Sequence, residues 1–113
     1  MKRIIFVAAL ASLPLVAGAQ TPVPEKAATC VACHGEGGAK PIAPNYPVLA
    51  GQYASYLEQA LKDYRAGVRK NAVMAPQAAA LTDAEIRALA QYFERQPGPL
   101  YTPSIKTGAG AAR

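Results

Sequence analysis

The sequence is short of the residues from which metal and catalytic sites are most often built. Its 113 residues include no tryptophan, one histidine, two cysteines and two methionines. Two cysteines allow at most one disulfide. A structural zinc site usually takes four Cys or His ligands, and the chain offers three. Acids are also few, 7 against 12 lysines and arginines, for a formal charge of +5. Part of that surplus lies at the very start. Without Lys2 and Arg3, ten basic residues face seven acids. So mild an excess does not predict nucleic acid binding; it suits docking to an acidic partner. No period-2 alternation and no internal repeat is present, so no strand is expected.

Nor is any apolar run long enough to cross a bilayer comfortably. Residues 4–16 are nearly all apolar, but Ser12 and Pro14 interrupt them. With Lys2 and Arg3 before and Ala17-Gly18-Ala19 after, residues 1–19 read as a secretory signal peptide cleaved after Ala19. No cysteine follows the cleavage site, so a lipoprotein is not expected. No second apolar run follows, so no stable membrane insertion is expected after cleavage. The expected mature chain begins at Gln20 and makes one small domain, with limited apolar area of its own.

What the chain does have is concentrated. Both cysteines and the only histidine fall in one pentapeptide, Cys30-Val31-Ala32-Cys33-His34. This is the spacing of a c-type haem attachment site. On a helix the two cysteines share a face, so both thiols can reach vinyl groups on one edge of a single porphyrin. His34 follows at once, where its imidazole can turn under the ring and bind iron. Three other readings compete. Zinc lacks a fourth ligand. A thioredoxin-like dithiol lacks its βαβ context. A Cys30–Cys33 disulfide is permitted by export but leaves His34 without a role.

Met74 is the only methionine once the leader is removed, and it lies forty residues beyond His34. Its surroundings read as an irregular loop, which makes it the expected sixth iron ligand. A methionine filling a core gap is the plainer reading, and lysine or water could also complete the iron. His/Met ligation fills both axial sites and raises the reduction potential. That predicts electron transfer rather than catalysis. The other ring nitrogen of His34 needs an acceptor, and the carbonyl of Pro44 is the candidate.

The rest of the chain reads as helix, loop, helix, loop, helix. A short first helix is expected over residues 25–33. Residues 40–51 carry Pro41, Pro44 and Pro47, which exclude a regular helix, and this apolar loop is expected to lie on the haem. Over residues 52–66, Tyr53, Tyr56, Leu57, Ala60, Leu61 and Tyr64 form one helical stripe. Residues 68–81 read as a second loop, with a helical turn over 77–80. The capping box Thr82-Asp83-Ala84-Glu85 opens a last helix over 83–96, with Ile86, Leu89, Ala90 and Phe93 as its stripe. Lys62, Arg65, Arg69 and Lys70 read as solvated surface; Arg69 or Asn71 could also reach a haem propionate. Residues 98–113 are expected to be a flexible tail, leaving 20–97 as the folded domain.

Taken together, these segments resemble class I c-type cytochromes. The pentapeptide matches the attachment site, and Pro44-Asn45-Tyr46 resembles the family's Pro-Asn segment after the haem histidine. Leu89-Ala90-Gln91-Tyr92-Phe93 resembles the C-terminal helix that packs on the N-terminal one. The stretch from Pro44 to Gln52, then Tyr56-Leu57 and Leu61-Lys62-Asp63-Tyr64-Arg65-Ala66-Gly67, is similar to one half of the two-haem periplasmic cytochromes called the c-four group. The resemblance implies an all-α class I cytochrome c fold, with three main helices and long loops around one covalent haem c and its iron. It implies Cys30, Cys33, His34, Pro44 and Met74 as the haem-binding set. It further implies a non-enzymatic periplasmic carrier, whose partners are redox proteins such as a respiratory complex, an oxidase or a dehydrogenase. Two alternatives stay open: the haem subunit of a periplasmic dehydrogenase, and a haem sensor or peroxidase-like protein with an open iron site.

Overall fold

The computed structural model describes residues 22–103. The expected leader and residues 104–113 of the expected tail lie outside them. Four α-helices are present among the described residues: α1 (Ala27–His34), α2 (Ala54–Ala66), α3 (Met74–Ala79) and α4 (Asp83–Glu94). One 3-10 turn, Glu36–Gly38, follows α1, and no strand occurs among the described residues.

α1 starts where Pro24 makes its first turn. The Ala27 amide donates to the Pro24 carbonyl at 2.9 Å and the Thr29 amide to the Lys26 carbonyl at 3.2 Å. The helix carries the whole pentapeptide, His34 included, one residue further than the sequence predicts. Beyond it, the Ile42 amide returns to the Cys33 carbonyl at 3.1 Å, satisfying a helix-end acceptor.

α2 and α4 follow their apolar stripes. Leu57 is buried on α2, and Ile86, Leu89, Ala90 and Phe93 on α4. α2 ends on Gly67 in the left-handed conformation, as its position predicts. The capping box is complete: the Glu85 amide donates to Thr82 Oγ1 at 3.2 Å and the Thr82 amide to Glu85 Oε2 at 2.8 Å. α4 stops at Glu94, two residues short of the expected end.

α3 corrects the sequence reading. Residues 68–81 were expected to be a loop with a turn at 77–80, yet the helix begins at Met74. Pro76 signals loop from sequence. Here it occupies the first helical turn, where a missing N–H removes no intrahelical bond.

The core is small. Ala27 from α1, Leu57 from α2, and Leu89, Ala90 and Phe93 from α4 make one buried cluster, with Cys30, Val31 and Leu49 packed against it. The short first helix is therefore seated on the last one. Gly38, in the 3-10 turn after α1, packs closely against α4 and the proline-rich loop. A Cβ there would lie 2.8 Å from Phe93 Cδ1 and 2.9 Å from Leu49 Cβ, on a backbone with φ of +73°. Overpacking plus a left-handed side chain should cost about 2–3 kcal/mol. Gly38→Ala is thus expected to lower the denaturation midpoint without changing the denaturant slope; an unchanged midpoint would refute the close packing.

The tail is not loose from its first residue. Thr102 Oγ1 donates to the Gly51 carbonyl at 2.6 Å, and the Tyr53 hydroxyl to the Pro103 carbonyl at 2.7 Å. The first part of the segment expected to be flexible is fastened beside the start of α2.

Candidate functional site

The pentapeptide opens onto a cavity of about 510 Å³, within the size range of cofactor and ligand sites. Cys30, Cys33 and His34 line it from α1, and Tyr46 to Leu49 from the proline-rich loop. α2 contributes Leu57, Leu61 and Tyr64, and α4 contributes Leu89 and Phe93. Met74 lines it from the first turn of α3. The sequence-predicted residues Cys30, Cys33, His34 and Met74 therefore meet at one cavity. Pro44 does not.

His34 is buried, 4% exposed. Its Nδ1 lies 2.7 Å from the carbonyl oxygen of Pro47. A carbonyl only accepts, so Nδ1 carries the proton and Nε2 keeps its lone pair for a metal. The Tyr46 ring meets the imidazole edge-on, with centroids 6.1 Å apart. This corrects the acceptor from Pro44 to Pro47. The Tyr46 amide donates to the Ala43 carbonyl at 3.1 Å, closing a turn with Pro44 and Asn45 at its corners. Both corner residues are exposed, and the chain comes back to the imidazole only at Pro47. The signal was in the sequence: a Pro-Asn pair favours a turn, which displaces the contact to the proline beyond it.

Cys30 and Cys33 are free thiols in this structure. Burial pushes the Cys30 thiol up from its ordinary value, partly offset by a hydrogen bond from its own backbone amide; the thiol itself donates to the Lys26 carbonyl at 3.5 Å. Among the described residues no group of three or more His, Cys, Asp or Glu is placed to hold a metal ion.

The basic cluster separates into distinct roles. Lys62 pairs with Glu58 one turn away at 2.6 Å, and Arg65 with Asp83 at 2.5 Å. Arg65 also donates to the Leu81 carbonyl at 3.0 Å, tying α2 to the start of α4. Those two are structural surface. Arg69 instead lines the cavity. Its guanidinium stacks 4.8 Å from the Tyr64 centroid, and Nη1 donates to the Tyr56 hydroxyl at 3.2 Å. It makes no ion pair among the described residues, so most of its five donors are open to a carboxylate. Tyr56, on the apolar stripe of α2, is half exposed and belongs to this group.

The fit to haem rests on these observations. Two thiols on one helix face, an imidazole with a free Nε2 and a thioether all line one largely apolar cavity, with a cation beside it. A porphyrin with vinyl, iron and propionate groups calls for each of them.

Comparison with known proteins agrees. The family model for cytochrome c matches residues 25–96. The chain is 48% identical over 75 residues to cytochrome c-554(548) of Halomonas halodenitrificans, covering 64% of this chain and 89% of that one. It is 40% identical over 113 residues to a thiosulfate dehydrogenase electron acceptor of Thiomonas intermedia, covering 99% of this chain and 52% of that one. It is 38% identical over 87 residues to cytochrome c4 of Thiocapsa roseopersicina, covering 77% of this chain and 44% of that one. The chain thus spans about half the length of several curated relatives it matches. The family match takes in all four helices, so the chain belongs to the cytochrome c family, related to the halves of cytochrome c4, and its cofactor is one covalently bound haem c.

Proposed function

We propose that the protein is a periplasmic one-electron carrier, not an enzyme, working through a haem ligated by His34 and Met74. The observation that carries this reading is the meeting of His34 and Met74, sole histidine and sole mature methionine, at one cavity. With both residues holding the iron, no position would be left for a substrate. When bound, the haem supplies a one-electron Fe(III)/Fe(II) couple. Cys30 and Cys33 would fasten it through thioethers, and the Pro47 carbonyl holds the His34 ring in one tautomer. Leu57, Leu61 and Phe93 keep water from the cavity. Arg69 and Tyr56 present N–H and O–H groups to a propionate.

Export follows from the expected leader, and no helix of the described residues is long and apolar enough to cross a membrane. The mild positive charge favours an acidic partner face. A second reading, acceptance of electrons from a dehydrogenase, is supported by the 40% identity to a thiosulfate dehydrogenase electron acceptor along nearly the whole chain. Mixing the ferric holoprotein with a thiosulfate dehydrogenase and thiosulfate, and following haem absorbance by stopped flow, tests it. Reduction that saturates with the protein and slows steeply with salt is expected. No reduction would exclude this donor. Peroxide turnover by the intact protein would overturn the carrier assignment itself.

A further inference from the structure

We infer that Asn71 is a positioning residue for Met74: by holding the start of α3, it sets where the methionine thioether enters the cavity. The inference rests on Met74 being an axial ligand. α3 has six residues, too few to hold itself in water. Its first amides need partners outside the helix, and Val73, at the cap position, has no side chain that can accept.

Asn71 meets the whole need. Its Oδ1 accepts from the amides of both Val73 and Met74, each at 2.9 Å. Its own main-chain carbonyl accepts from the Ala75 amide at 3.0 Å. The next residue, Pro76, has no amide hydrogen. Every backbone donor from Val73 to Pro76 is thus answered by this one asparagine or absent. The far end of the helix is pinned separately by Ala78, which is fully buried. Met74 sits at the end that Asn71 controls, and Asn71 itself lines the cavity.

Without the side-chain oxygen, the Val73 and Met74 amides turn to water and the first turn of α3 frays. The thioether then competes less well for its position, and a small exogenous ligand competes better. The chemistry required of residue 71 is a short side chain with an acceptor oxygen. Aspartate satisfies it and alanine does not.

The test uses the holoprotein and four variants: Asn71→Ala, Asn71→Asp, Met74→Ala and Thr82→Ala. Two properties are read: the ferric thioether-to-iron charge-transfer absorbance and the affinity for added imidazole. Asn71→Ala is expected to weaken the band and bind imidazole about tenfold more tightly, the size of a lost cap. Asn71→Asp is expected to match the parent. Thr82→Ala removes a cap of the same kind from α4, at a residue that does not line the cavity, and should leave imidazole affinity unchanged. Parental imidazole affinity in Asn71→Ala, alongside a lost band in Met74→Ala, overturns the inference and leaves the ligand assignment standing. An equal rise in Thr82→Ala also overturns it, since general loosening then accounts for the effect. A retained band in Met74→Ala removes the axial assignment and the inference with it. If Asn71→Ala fails to load haem, Asn71→Leu decides: a side chain of the same shape without an acceptor should give tighter imidazole binding than Asn71→Asp, and equal affinities overturn the inference.

Discussion

Met74→Ala is expected to turn a six-coordinate low-spin haem protein into a high-spin one that binds added ligands freely. The chain offers no second histidine and no other mature methionine. Among the described residues, the cavity's remaining nitrogen donors are the side chains of Asn45, Gln52, Asn71 and Gln77, which are neutral amides, and Arg69, which keeps its proton. None replaces a thioether. The reduction potential should fall as well, since a thioether favours the reduced iron. The measurement is an absorption spectrum of both oxidation states, with a titration of the potential. A low-spin spectrum at the parental potential would show that another group completes the iron.

Removing the attachment should have the largest effect on folding. Cys30→Ala together with Cys33→Ala is expected to abolish covalent haem and leave a chain with little helix. Among the described residues, only Ile86 and Leu89 are large side chains that are fully buried, and the remaining core is mostly alanine with Leu57 and Phe93 at its edge. Around them stands a cavity of about 510 Å³. At about 24 cal/mol per Å³ of unfilled volume, emptying it would cost at most about 12 kcal/mol, as much as a small domain's whole stability. Water entering an open cavity reduces that figure, so it is an upper bound. Far-ultraviolet circular dichroism of the haem-free double mutant checks the claim. Native helix content with a cooperative melt would show that the polypeptide core suffices alone.

Much of this was legible in the sequence, for reasons that differ from element to element. α2 and α4 carry apolar stripes long enough to set the helical period, and Thr82 and Glu85 mark the start of α4 by side-chain chemistry alone. The pentapeptide declares itself because three scarce residues coincide. α3 was not legible. Six residues are too few for periodicity, proline reads as a breaker, and the asparagine that starts it lies outside its bounds. Pro47 was missed because three prolines in one loop are equivalent by composition, and only the turn at Pro44 and Asn45 distinguishes them. Arg69 and Tyr56 sit thirteen residues apart, and no local pattern announces their meeting across the cavity mouth.

The hydrogen bond from His34 to Pro47 bears on how fast such a carrier can work. Electron exchange is slowed by every atom that must move when one charge is added or removed. Here the imidazole is held through a 2.7 Å bond by a loop whose three prolines have few conformations to visit. Such a ring shifts little between oxidation states. Its contribution to the reorganisation energy is therefore small, and fast exchange can proceed on a small difference in potential between donor and acceptor.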